Sequence, residues 1–389
     1  MQIKVRFYVL LAMMLATLSG CSTVTGWFES DAYEAPPAEL VDFTPEIDPK
    51  SAWSVNTGDG TENDYDDLAA WLQGEMIIAV DNEGKVSSYQ AVTGKSLWKI
   101  DLDVPISSGA GGGDGLILVG TREGKIFALE EATGVVRWNH QMTSELLAPP
   151  KAASGVVVAK TADGGLNGLS AETGESLWSY QHNVPLLSLR GASAPVIVND
   201  MVIAGYANGK LAAVSLFDGQ LIWERSVAVP SGRTEIDRLV DIDADLVVID
   251  DQIYVTAFHG RIAALSADSG EIIWSRDLSS RAGLDTDGGI SVYVTDETDY
   301  VWSLENGTGD SLWRQTELLR RTITAPAIFG DYLLVGDFEG YVHWIARDDG
   351  RFVARVRVGK KGIRSKPIVK DDLVYITSAK GILTAFRKP

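Results

Sequence analysis

Four histidines, one cysteine and an uneven scatter of carboxylates are the side chains of this 389-residue chain that could carry chemistry. His140, His182, His259 and His343 lie in different parts of the sequence, and none makes the short spacing that holds a metal ion. His259 reads as part of a solvated turn. Carboxylates occur in pairs, but none sits in a setting for general acid–base work. Gly111-Gly112-Gly113 falls in a weak strand with no helix after it, so it is not a phosphate-cradling loop. The most conspicuous charged stretch is TEIDRLVDIDAD, residues 234–245, where Arg238 stands among Glu235, Asp237, Asp241, Asp243 and Asp245. Such acids can hold an arginine in one pose or receive a basic group from a partner. These residues therefore suggest recognition: no catalytic residue, metal or cofactor is expected.

The formal net charge of -19 disfavours nucleic acid, whose phosphates would repel the chain. Hydrophobic residues make up 45%, enough for a large core. At the N-terminus Lys4 and Arg6 precede an apolar run at 7–18, too short for a membrane span, so residues 1–20 read as a secretory signal. Leu18-Ser19-Gly20-Cys21 resembles the lipobox of bacterial lipoproteins, in which the cysteine is acylated. Cys21 is the only cysteine, so no internal disulfide can form. Ser22 in place of an aspartate implies, by the same resemblance, the outer membrane. Loss of Lys4 and Arg6 takes the charge to -21, 32 basic against 53 acidic residues. Residues 21–50 carry Pro36, Pro37, Pro45, Pro49 and scattered acids, and read as a lipidated N-terminus and flexible acidic tether. Fully extended, that tether would span about 100 Å.

Beyond the tether the chain repeats. GKVSSYQAVTGKSLW (84–98), GKIFALEEATGVVRW (124–138), GGLNGLSAETGESLW (164–178), GKLAAVSLFDGQLIW (209–223) and GRIAALSADSGEIIW (260–274) are successive copies. A sixth opens on Asp299 and ends at Trp313, a seventh runs from Gly340 to Ala354, and an eighth begins at Gly381. Each copy reads as strand, turn, strand, preceded by a β-branched strand such as 116–120 or 253–257 and by a weaker one such as 194–198 or 325–329. Four short strands per roughly 40 residues is the pattern of a β-propeller blade. Ser51-Ala52-Trp53-Ser54-Val55 matches Ser176-Leu177-Trp178-Ser179-Tyr180 and would supply the strand missing from the last copy. The predicted fold is all-β: an eight-bladed propeller over residues 51–389, four antiparallel strands per blade, its ring closed by the N-terminal strand. Trp53, Trp98, Trp138, Trp178, Trp223, Trp274 and Trp313 are expected to pack between neighbouring blades, with the glycines at turn positions of positive φ.

Spacing shows where the repeat is free to vary. The distance from the first glycine position to the tryptophan position is 14 in all seven complete copies. From each tryptophan position to the next glycine position it is 31, 26, 26, 31, 37, 25, 27 and 27, starting from Trp53. All length variation thus falls in the connections between blades, which share one face of a propeller. The adjacent connections Trp178 to Gly209 and Trp223 to Gly260 are long; a third, after Trp53, holds Glu62, Asp64, Asp66 and Asp67. Insertions gathered on one face of a repeat fold mark a binding surface. Leu186, Leu187 and Leu189 beside Arg190 supply the apolar and arginine anchors of a protein interface.

Thr-Gly followed four residues later by tryptophan resembles the repeat of quinoprotein dehydrogenases, which are eight-bladed enzymes. Those enzymes usually set adjacent cysteines against their cofactor and need calcium-binding acids; the lack of a cysteine pair separates this chain from them. Leu187-Ser188-Leu189-Arg190-Gly191 and Thr234-Glu235-Ile236-Asp237-Arg238-Leu239 resemble loops of the BamB family, the lipoprotein component of the outer-membrane β-barrel assembly machinery. The similarity extends to Gly340-Tyr341 and to Asp349-Gly350-Arg351-Phe352-Val353-Ala354. It implies a non-enzymatic scaffold of the BAM complex, facing the periplasm and docked on the periplasmic domains of BamA, the barrel subunit. By position it implies that Leu187, Leu189, Arg190, Asp241 and Asp243 carry the docking surface, to which Arg238 is added. Unfolded outer-membrane proteins are a second candidate partner, through strand addition at exposed sheet edges. The alternative is a divergent quinoprotein-like or sugar-binding propeller using its central channel.

Overall fold

The computed structural model describes residues 35–61, 68–185, 193–230, 233–234 and 238–389. Among them are 32 strands, from β1 (Ser51–Asn56) to β32 (Ile382–Arg387), and no α-helix. They form six four-stranded sheets and one eight-stranded sheet. The latter is two four-stranded meanders joined by a parallel bridge from Lys151 to Gly112. The joint explains the triple glycine. A Cβ on Gly111 or Gly113 of β6 (Gly111–Gly113) would stand 1.9 Å from the carbonyl oxygen of Pro150 or Ala152. Only glycine lets the two first strands come together there.

One meander illustrates the rest. It runs β10 (Lys151–Ala153), β11 (Val156–Lys160), β12 (Gly165–Ser170) and β13 (Ser176–Gln181), all antiparallel. The three valines of β11 are fully buried, as β-branched residues in a strand covered on both faces should be. In β13 the exposed Leu177 and Ser179 flank the buried Trp178. The β12–β13 register slips between Gly168 and Leu169, beside Trp178, and a corresponding irregularity recurs in the other repeats. That bulge re-aims the indole.

Each indole then reaches into the next repeat. The Nε1–H groups of Trp53, Trp98, Trp138, Trp178, Trp223, Trp274 and Trp313 donate to the carbonyls of Ala91, Glu131, Ala171, Leu216, Ala267, Asn306 and Arg347, at 2.5–3.0 Å. Three residues after each acceptor lies a glycine at φ between +66° and +79°, on which the ring rests. A Cβ at any of these glycines would come within 2.6 Å of the indole. Glycine is thus required twice, for the backbone and for the ring.

Ala354, in β29 (Phe352–Arg357), marks the exception, and the sheet topology accounts for it. The following sheet contains β30 (Ile368–Lys370), β31 (Leu373–Thr377) and β32, and its fourth place is taken by β1. Val55 pairs with Leu383 and Ser54 with Thr384. No hairpin turn joins the third and fourth strands of that sheet, so no turn glycine faces residue 354. The small side chain packs instead with Trp344, Phe386 and Ile47.

Residues 38–50, expected as tether, belong to the folded body. Val41 and Phe43 pack against the cluster holding Phe352, and Ile47 joins the cluster around Trp344. Glu46 N–H donates to the Val353 carbonyl at 2.8 Å. The guanidiniums of Arg321 and Arg355 donate to the carbonyls of Ala38 and Val41, at 2.9 and 3.0 Å, while Arg351 pairs with Glu46 at 2.8 Å. Apolar residues at 41, 43 and 47 outweigh the prolines and acids between them. Cys21 and residues 1–34 lie outside the described residues.

Replacing Trp223 by alanine is expected to lower stability by about 3–5 kcal/mol in urea unfolding. Leu177→Ala, at a side chain 51% exposed, should stay within about 0.5 kcal/mol. Ala354→Trp should destabilise, because its site is filled and no turn receives the indole.

Candidate functional site

Two adjacent connections carry the extra length. One runs from β13 to β14 (Val196–Val198), the other from β17 (Leu221–Ser226) to β18 (Val247–Ile249). Leu187, Leu189 and Arg190 of the first lie outside the described residues, as does the acidic run at 62–67 of the third long connection. Arg238 of the second is exposed, with its N–H donating to the Thr234 carbonyl at 3.2 Å.

From Val240 to Leu246 the chain alternates. Val240, Ile242, Ala244 and Leu246 are buried, Asp243 is half-buried and Asp245 exposed. Asp241 breaks the alternation and is 3% exposed. It bridges Phe258, whose N–H donates to the Asp241 carbonyl at 2.8 Å. Ile242 lies over Gly205, where a Cβ would come 2.4 Å from its Cγ2. The carboxylates are thereby carried on a backbone segment pinned into the body.

The two connections are also bonded to each other. Ser193 Oγ donates to the Ile242 carbonyl at 3.0 Å, and Ala194 N–H donates to Asp245 Oδ1 at 2.8 Å. Lys160, at the end of β11, donates from Nζ to the Gly205 carbonyl at 2.5 Å and reaches the Ser193 carbonyl at 3.5 Å. Burial pushes the Lys160 ammonium below its ordinary pKa, against the opposing pull of Asp241, Asp243 and Asp245. Burial raises the Asp243 carboxyl to about 6, opposed by Lys160 and Arg281. Among the described residues Asp243 Oδ1 has no hydrogen-bond partner. Nearby, burial lowers Lys151 to about 8, opposed by Asp245; its ammonium lies 3.7 Å from the centre of the Trp71 ring.

Sequence reasoning missed Lys160, Ser193 and Ala194. A signal for the lysine was present: the last residue of the second strand is Val80, Gly120, Gly205, Thr256, Thr295, Gly336 and Thr377 in the other repeats. The histidines serve separate local contacts. His182 stacks on Tyr206 and bonds Glu224 at 3.1 Å; His343 is buried against Asp337 at 3.0 Å; His259 is exposed in its turn, stacked on Phe258. Asp59, Asp81 and Glu83 converge, but the Lys85 ammonium lies among them at 3.2, 3.5 and 2.9 Å.

Sheets of four antiparallel strands, each locked to the next by an indole at every junction except the one at Ala354, define a protein of the β-propeller class. A family model described as outer membrane protein assembly factor BamB matches residues 82–315 and 300–388. The chain belongs to that family. It is 51% identical to the Pseudomonas aeruginosa protein of that name over 377 residues, covering 97% of each chain. It is 35% identical to the Escherichia coli K12 protein over 379 residues, 95% of each. The crystal structure of BamB from Moraxella catarrhalis superposes with a TM-score of 0.80 at 29% identity, covering 87% of this chain and 99% of that one. A quinohemoprotein alcohol dehydrogenase from Comamonas testosteroni, with a TM-score of 0.69 at 13% identity over 88% of this chain and 78% of its own, shares the fold alone.

Asp243 has a consequence for stability. Its folded pKa, near 6, lies above the ordinary aspartate value of 3.8, so the folded state binds the proton more tightly than the unfolded chain. Stability is therefore lost as pH rises from about 4 through 6 and stays lower above that. Asp243→Asn should be more stable than wild type at pH 7.5, by on the order of 2 kcal/mol, with the difference vanishing towards pH 4 in urea unfolding.

Proposed function

We propose that the protein is a non-enzymatic scaffold lipoprotein of the outer-membrane β-barrel assembly complex, docking on the periplasmic domains of BamA and aiding insertion of barrel proteins. One observation carries this reading. Two adjacent long connections are bonded to each other through Ser193 and Ala194, so the backbone that carries Asp241, Asp243 and Asp245 is pinned beside the first connection. In that reading Leu187, Leu189 and Arg190 supply the anchors, and Arg238, Asp241 and Asp243 the charged side.

We further propose eight blades over residues 51–389, closed into a ring by β1. The strand orders of the six single sheets and one double sheet, with β1 beside β32, support this. Residues 1–20 would be removed as a signal, and Cys21 would carry the lipid that anchors the body to the outer membrane, facing the periplasm. With residues 38–50 held on the body, the tether reduces to residues 22–37, a maximum reach of about 55 Å.

Arg190→Glu in the full lipoprotein is expected to abolish co-purification with BamA while leaving the thermal midpoint unchanged. Recovery of BamA at wild-type levels would overturn the docking surface. Photocrosslinkers at 187–190 and 237–243 in intact cells should label BamA.

A further inference from the structure

We propose that Lys160 is a positioning residue for docking, holding Ser193 and Ala194 of the first connection against the segment 241–245 of the second. The proposal rests on the docking reading and adds a residue outside both insertions.

Lys160 is 8% exposed and lies within β11, two strands before the first connection begins. Its ammonium reaches the Ser193 carbonyl of one connection, and the Ser193 hydroxyl donates to the Ile242 carbonyl of the other, next to Asp241 and Asp243, whose charges attract the ammonium. Its shortest bond, to the Gly205 carbonyl, ties both to the neighbouring sheet. The scaffold does not require this cation. The corresponding strand ends carry Val80, three glycines and three threonines, and those repeats form the same four-stranded meanders. Burying an ammonium is unfavourable unless acceptors and counter-charges surround it. Here the acceptors are the carbonyls of Ser193, in the first connection, and of Gly205, at the end of a neighbouring strand, and the attracting carboxylates all come from the other connection. Removing the charge would take one cation's attraction away from three neighbouring carboxylates. They would repel one another, and the segment from Asp241 to Asp245 would shift or take up protons.

Charge distinguishes this role from plain packing. Lys160 and Arg281 are the cations that pull on Asp243, and Asp241 and Asp245 pull on the same ammonium. Loss of Lys160 must therefore move the titration of Asp243 upward, whereas loss of packing alone need not.

The test measures binding of the purified periplasmic domains of BamA to full-length protein between pH 5.5 and 8. Lys160→Met is expected to weaken binding at least ten-fold at pH 7.5 and to raise the pH midpoint of binding by half a unit or more. Lys160→Arg should restore both. Lys160→Thr, the residue at three of the sister strand ends, serves as a second charge-free variant if the methionine fails to fold. Wild-type affinity in a folded charge-free variant, or weakened binding with an unmoved midpoint, would overturn the assignment. Arg190→Glu is measured in parallel. If it binds normally, the docking reading itself falls; if it does not bind but the charge-free Lys160 variants do, only the role of Lys160 falls.

Discussion

The insertion of an indole into the turn of the next repeat is the contact on which this architecture depends. It combines a hydrogen bond, a buried aromatic face and a glycine with no side chain to obstruct it. Each part fixes the others. The acceptor carbonyl stands three residues before the glycine, and the tryptophan stands opposite a strand irregularity that turns it outward. An extra residue between the first glycine and the tryptophan would rotate the ring away from its seat. That is why the interval of 14 is kept in every repeat that ends in tryptophan while the connections outside it vary from 25 to 37. The same lock that makes the body rigid determines where the chain is free to add a surface.

What was added there is not a loose decoration. Ile242 and Val240 anchor the second insertion in the apolar core, and Asp241 enters a backbone bridge between them. The charged groups are presented by a segment whose backbone is already ordered, so little conformational entropy remains to be lost when a partner arrives. The cost falls on the free protein. A half-buried carboxylate with a raised pKa and a buried ammonium are both held where water would stabilise them better. Such groups persist at functional positions more readily than in plain scaffold.

Much of the fold was legible because the repeat reports itself: six tryptophans, each 14 residues after the position that opens its copy, reveal both the strands and the contacts between them. Ala354 is informative for the same reason, since a missing tryptophan points to a sheet completed from elsewhere in the chain. The segment at 38–50 was not legible. Its prolines and acids resemble a linker, and the pockets for Val41, Phe43 and Ile47 are built by residues some 300 positions away. Asp241 was visible as a charge but not as a buried one, because the backbone bridge that draws it in is made with Phe258, further along the chain. Lys160 was readable only by comparing strand ends across repeats, a comparison that needs the strand boundaries.

The docked segment at 38–50 also has a mechanical consequence. It leads directly into β1, the one strand that completes a sheet without a covalent turn. Tension applied from the N-terminal side would meet this segment first. The guanidiniums of Arg321, Arg355 and Arg351, with Phe43 seated on Phe352, would bear the load before any hydrogen bond between β1 and β32 was strained. The segment thus acts as a strain relief, keeping a pull on the chain end from peeling open the sheet that two distant parts of the sequence must hold together.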